Sequence, residues 1–259
     1  SNDYSVNQGD IVLQETPEIS SAKGRLGVLL PGMGAVATTT IAGVLLARKG
    51  LARPIGSLAQ MNTIRLGQRT EKRSPLIKDF IGLAELDQIV FGGWDPIPDN
   101  AYESAVNAGV LSNEHLGLVK DELQVIEPMS AAFDTAYVTR LDGPNKKTGS
   151  NKRDIAEQIR ADIRAFKKEN GCDRLVMVWC GSTEIFLRHG PVHESMESFE
   201  KGMEENEPSI SPSMLYAYAA LKEGVPYANG APNLSADFAA LEDYAQQEGI
   251  PIAGKDFKT

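Results

Sequence analysis

Leu26-Gly27-Val28-Leu29-Leu30-Pro31-Gly32-Met33-Gly34-Ala35-Val36-Ala37 runs an apolar stretch into a G-x-G-x-x-A turn, and a helical pattern over 37–49 follows it. A strand, a glycine turn and a helix in that order form a unit that holds a dinucleotide pyrophosphate. Gly32 permits the tight turn, Gly34 lets the backbone approach a phosphate, and the small Ala37 lets helix and strand pack closely. Amides at the helix N-terminus then face the anion, and Ala35 and Val36 of the turn are further cofactor-binding candidates. A Cβ at Gly34 obstructs the approach.

The same stretch, 26–47, is long and apolar enough to raise a membrane span, which takes about 20 such residues. Pro31, the glycines and Thr38-Thr39-Thr40 fit a turn and a helix start better. Residues 1–25 carry Asp3, Asp10, Glu15 and Glu18 with no apolar core, so they read as a loose arm over 1–23 and not as a secretory signal. At 259 residues, 42% hydrophobic and 24% charged, the chain can bury a sizeable core. A net charge of −9 argues against a general nucleic-acid surface, and Arg65, Arg69, Lys72 and Arg73 read as a solvated face. Cys172 and Cys180 are too few for a disulfide framework or a zinc site, which points to a reducing, cytoplasmic setting.

Apolar strand-like runs alternate with helical patterns, which predicts a doubly wound, mostly parallel Rossmann-like α/β sheet. Strands are expected at 26–31, 55–60, 88–92, 124–126, 175–180, 226–228 and 250–253. Helices are expected at 37–49, 75–84, 100–108, 152–169, 211–222 and 235–247. The clearest is 152–169, with Ile155, Ile159, Ile163 and Phe166 on one stripe. Residues 142–151 read as a mobile loop. Several strands open into small polar residues, and such strand ends line the ligand crevice of an open parallel sheet. Asp95 there can accept hydrogen bonds from a ribose or an amide, or it can serve as a turn aspartate capping the next helix. His189 and His193, with Glu194, offer metal-ligand types, but Gly190-Pro191 breaks the helix that would align them, and no metal site is assigned. No ribose-binding acid is evident after the predicted second strand, so these residues leave NAD and NADP open, and Arg65 or Arg69 is free to meet a 2′-phosphate.

Five ordered motifs resemble those of inositol-3-phosphate synthase, also called myo-inositol-1-phosphate synthase. They are the 32–37 turn, Gly92-Gly93-Trp94-Asp95, Val178-Trp179-Cys180-Gly181-Ser182-Thr183-Glu184, Glu223-Gly224-Val225-Pro226-Tyr227-Ala228-Asn229-Gly230 and Gly254-Lys255-Asp256-Phe257-Lys258-Thr259. The resemblance implies an isomerase, an intramolecular lyase of inositol and phospholipid biosynthesis. It turns glucose 6-phosphate into inositol 1-phosphate by oxidation at C5 with NAD, attack of C6 on the C1 aldehyde, and return of the hydride. It further implies a homotetramer. By the same resemblance Gly32 and Gly34 cradle the pyrophosphate and Asp95 contacts the adenosine half. Ser130, Arg160, Ser182, Thr183, Gly230 and Ala231 line the dinucleotide, and Lys258 is an active-site cation. The 32–37 turn lacks the paired asparagines of many members, Cys180-Gly181-Ser182 replaces Thr-Ala-Asn, and Lys255 stands where an aspartate often precedes Asp256, which suggests a divergent, bacterial-type member. The expected organisation is an NAD-binding domain over 24–253 and the start of an α+β catalytic and oligomerisation domain at 254–259, the chain being the cofactor-binding part of a longer enzyme. Two other readings stay open: a different NAD(P) oxidoreductase, and a noncatalytic dinucleotide-binding module.

Overall fold

The structure is a computed structural model that describes residues 21–257. The arm expected at 1–23 therefore falls largely outside the described residues, as does Lys258.

In chain order the elements are β1 (Arg25–Pro31), α1 (Ala35–Arg48), α2 (Leu58–Met61), α3 (Ile77–Phe80), β2 (Ile89–Asp95), α4 (Ala101–Ala108), α5 (Asn113–Gly117), α6 (Lys120–Gln124), β3 (Met129–Ser130), α7 (Lys152–Glu169), β4 (Cys172–Trp179), α8 (Met196–Glu204), α9 (Pro212–Lys222), β5 (Tyr227–Asn229), α10 (Ala239–Glu248) and β6 (Ile252–Gly254). The six strands lie in the order β3-β2-β1-β4-β5-β6, every neighbouring pair parallel. Val28 of β1 stands between Phe91 and Val176. This is the strand order of the dinucleotide-binding Rossmann fold, and the order reverses between β1 and β4.

Both faces of the sheet are covered. On one, Ala37, Ile41, Ala42, Leu45 and Leu46 of α1 pack with Leu30, Met33 and Phe91 and with residues of α4, α5 and α6. On the other, Ile159 and Ile163 of α7 meet Met177, Trp179 and the long run of α9. Each buried isoleucine contributes about 2–3 kcal/mol. Helix α9 is buried all round because α7 and α10 flank it over the sheet. Phe166, at the end of the α7 stripe, packs on the sheet over Gly27 and Gly92, which leave it room; a Cβ at Gly92 would stand 2.4 Å from its ring. No helix among the described residues is long and apolar enough to cross a membrane. The 26–47 stretch is instead a strand, a turn and a helix.

Four local expectations need correction. Residues 55–60 form no strand: Pro54 and Gly56 break the run, and Ser57 caps α2 by accepting from the Gln60 amide at 3.3 Å. The second strand of the sheet is β2. Between α1 and β2 the chain makes an excursion with two antiparallel bridges, Thr63 to Leu76 and Leu66 to Arg73. The strand expected at 124–126 is the end of α6, where Leu123 is buried, and the edge strand comes later as β3, which meets β2 over only two residue pairs. The helix expected at 75–84 shrinks to α3, because Gly82 takes φ +59° just beyond it. The segment 142–151 is a loop, but a tethered one. Asn145 donates to the Asp95 and Met129 carbonyls at 2.9 and 3.2 Å, and Lys147 pairs with Asp162 at 2.6 Å.

Candidate functional site

A cleft of about 460 Å³ opens at the C-terminal ends of β1, β2 and β4, where the strand order reverses. In open α/β sheets ligands bind at that point. Gly32, Gly34, Ala35 and Val36 form one wall, Asp95 and Asp99 a second, and Cys180, Gly181 and Ser182 a third. The floor is aromatic, with Trp94 and Trp179 resting on Tyr216 at ring separations of 5.2 and 5.6 Å.

The glycine turn is fixed from three directions. The Gly32 amide donates to the Trp94 carbonyl at 2.8 Å, the Met33 amide to Asp95 Oδ2 at 2.8 Å, and the Ser104 hydroxyl to the Met33 carbonyl at 2.7 Å. Gly32 has φ +90°, and a Cβ on it would meet Gly181 Cα at 2.3 Å, so glycine is required for the close approach of two backbones. Gly34 differs. It precedes α1 with φ −81°, and an ideal Cβ there has no atom within 4 Å. The space that a side chain would fill is open cleft.

Helix α1 starts without a side-chain cap and without an acidic residue in its first turn, which leaves amides and the positive end of the helix dipole to face an anion. Ala37 is fully buried, as expected of the small third residue.

Asp95 ends β2, the position from which an acid reaches a ribose in this fold. Burial pushes its carboxyl above the ordinary carboxylate range, against the lowering effect of the Ile97 and Met33 amides. Its capping role goes to Asn100, which accepts from Tyr102 and Glu103 at the start of α4. Among the described residues the cleft wall holds no lysine or arginine. Arg65 and Arg69 belong to the excursion before β2, and neither lines the cleft.

The remaining expected residues divide. Ser182 lines the cleft, whereas the exposed Thr183 does not. Ser130 stands beside Asp95 in the sheet but spends its hydroxyl on Asn145 Oδ1 at 2.7 Å. Gly230 and Ala231 lie one strand further over, and the Phe257 ring occupies the space that a Gly230 side chain would need. Arg160 is committed elsewhere: it bridges Glu157 at 2.8 Å and Glu223, at the end of α9, at 2.7 Å. Arg160 is not among the residues that line the cleft.

Three cleft residues were not among the expected site residues. Tyr216 lies in a helix buried on all sides, which gives no periodic face to read. Glu184 is 5% exposed and accepts from the Ser213 amide and hydroxyl at 2.8 and 2.5 Å. Burial raises its carboxyl above the ordinary 4.5. Cys180 lines the wall with its thiol pushed up to about 12 by burial, which makes it a poor nucleophile. The two candidate metal-ligand histidines form no cluster with a third ligand among the described residues. His193 uses both ring nitrogens, Nδ1 accepting from the Gly190 amide and Nε2 meeting the Ser209 carbonyl, each at 3.1 Å.

Residues 26–259 match the model of an NAD-binding domain described as myo-inositol-1-phosphate synthase. Inositol-3-phosphate synthase 1 of Bacteroides thetaiotaomicron is 50% identical over 244 residues, covering 93% of this chain and 56% of that protein. Inositol-3-phosphate synthase 1 of Plasmodium falciparum is 34% identical over 256 residues, covering 91% of this chain and 42% of that one. The crystal structure of inositol-3-phosphate synthase from Caenorhabditis elegans superposes with a TM-score of 0.84 at 25% identity, covering 92% of this chain and 50% of that one. The chain thus spans about half the length of the relatives it matches.

Proposed function

Since the chain belongs to the myo-inositol-1-phosphate synthase family, we propose that it is the NAD-binding portion of an enzyme that isomerises glucose 6-phosphate to inositol 1-phosphate. The observation that carries this is the open cleft at the reversal of strand order, with Gly34 bare toward it and the uncapped start of α1 beside it. Bound NAD supplies a hydride acceptor for C5 of the sugar and later the donor that returns the hydride.

The chain's own residues bind and orient. Amides of the first turn of α1 meet the pyrophosphate, Asp95 faces the adenosine ribose, and Ser182 lies along the β4 side. Asp95 and Asp99 on one wall, with no lysine or arginine in the cleft among the described residues, favour NAD over NADP, because a 2′-phosphate beside two carboxylates goes uncompensated. A sugar phosphate needs cations that this cleft does not supply, and Lys258 is our choice for one of them. Lys255 is already paired with Asp237 at 2.6 Å. We assign the protein to the cytoplasm, which the unpaired Cys172 and Cys180 suit, and to a homotetramer, which the exposed Ile55, Leu58 and Phe80 of the excursion would help to hold.

Calorimetric titration with NAD and NADP tests the binding half of the proposal, and a phosphate-ester assay for inositol 1-phosphate from glucose 6-phosphate tests the chemistry in the full-length enzyme. Tighter binding of NADP than NAD, or a full-length enzyme that makes no inositol phosphate with NAD present, refutes it.

A further inference from the structure

We propose that Glu184 is a positioning residue that shapes the β4 side of the cleft, the side that takes the second mononucleotide of a dinucleotide. The proposal rests on the cleft being the NAD site. It comes from a closed circuit of contacts around the start of α9. Glu184 Oε1 accepts from the Ser213 amide at 2.8 Å, and Oε2 accepts from the Ser213 hydroxyl at 2.5 Å and Asn233 Nδ2 at 3.3 Å. The Lys152 ammonium donates to the Ile210 and Glu207 carbonyls, both at 2.6 Å, just before that helix, and to the Tyr137 hydroxyl at 2.7 Å. The Tyr137 carbonyl in turn accepts from the Ile185 amide at 2.9 Å, which returns the circuit to the neighbour of Glu184.

A carboxylate with both oxygens held by buried donors is not free to move a proton on a ligand. What it does is fix backbone. The segment from Cys180 to Glu184 leaves the sheet where the Cys180 amide donates to the Pro31 carbonyl at 2.9 Å. It passes Gly32 in backbone contact at Gly181, presents Ser182 to the cleft, and is anchored again by Glu184 and Ile185. A negative group at the N-terminus of an 11-residue helix is electrostatically favoured there, so the anchor is strong. In this fold the two mononucleotides of a dinucleotide lie over the two halves of the sheet, and this segment follows the first strand of the second half. Loss of the anchor should therefore weaken the grip on one mononucleotide and spare the other.

Glu184→Gln offers one acceptor oxygen where the circuit uses two, and it removes the charge at the helix end. Calorimetric titrations of parent and variant with NAD and with ADP, beside thermal melts, test the idea. We expect the variant to melt about 3–10 °C below the parent, to bind NAD about 10-fold more weakly, and to bind ADP within about twofold. If E184Q binds NAD as the parent does, Glu184 positions nothing. Equal losses for NAD and ADP would make it a general structural residue and overturn the proposal too. A parent that binds neither nucleotide overturns the NAD reading of the cleft and takes this proposal with it. Should E184Q fail to fold, Ser213→Ala keeps the carboxylate and removes one of its donors; there we expect NAD to weaken about threefold with ADP unchanged, and unchanged NAD affinity refutes the proposal.

Discussion

Gly32 and Gly34 lie two residues apart in one motif, yet the structure gives them opposite consequences when substituted. In Gly32→Ala the new Cβ must enter a position 2.3 Å from Gly181 Cα while the backbone holds φ +90°. The unfavourable backbone region costs about 1–3 kcal/mol and the forced separation of two backbones about as much again, so a loss of about 3 kcal/mol or more is expected. With an m-value of about 3 kcal/mol/M, the urea midpoint falls by about 1 M.

In Gly34→Val the backbone is extended, with φ −81° and ψ −150°, and no atom lies within 4 Å of the new Cβ. Stability should change by less than about 1 kcal/mol, since a poorer N-cap and a stiffer unfolded chain nearly offset each other. The side chain instead fills the cleft beside the α1 amides. Loss of one charge-assisted amide–phosphate bond, about 1.5–3 kcal/mol, weakens NAD by about 10- to 100-fold. Urea unfolding and NAD calorimetry on both variants separate the two effects. A Gly34→Val protein that is folded and binds NAD like the parent refutes the pyrophosphate assignment, and a Gly32→Ala protein as stable as the parent refutes the close-contact argument.

Three further outcomes are expected. Asp95→Asn turns an amide group toward one of the two backbone N–H donors that the carboxylate now serves, at Met33 and Ile97, so it should lose about 1–3 kcal/mol in urea unfolding and weaken NAD; unchanged values for both would remove Asp95 from the site. Burial first, and then His189, lower the His193 pKa from 6.5, and a depressed histidine contributes stability that is present above pH 6.5 and lost as pH falls through the folded value. Unfolding at pH 7.5 and 5.5 should show that loss in the parent and less of it in His193→Gln, and identical pH slopes would contradict the assignment. In the full-length enzyme Lys258→Met should keep NAD affinity within about threefold and cut turnover by about 10²-fold or more, whereas parental turnover would make Lys258 a bystander.

The central strand, the 32–37 turn, the helix after it and the 152–169 helix were legible in the sequence because each is local: apolar periodicity and turn residues specify them within a dozen positions. So was the class of ligand, since a bare glycine before a helix start is a local arrangement that suits a phosphate. Tertiary structure decided which strand stands second in the sheet, because residues 55–60 and 89–95 are both short apolar runs and only pairing with β1 tells them apart. That choice put Asp95 at the end of β2, the position from which an acid reaches a ribose in this fold. It also decided which polar residues face the cleft. Arg160 and Glu184 have no periodicity that separates them as binding residues, yet one is drawn to Glu223 behind the sheet and the other lies buried at the start of α9. Where a charged side chain points depends on partners 29 and 63 residues away, and no local pattern records them.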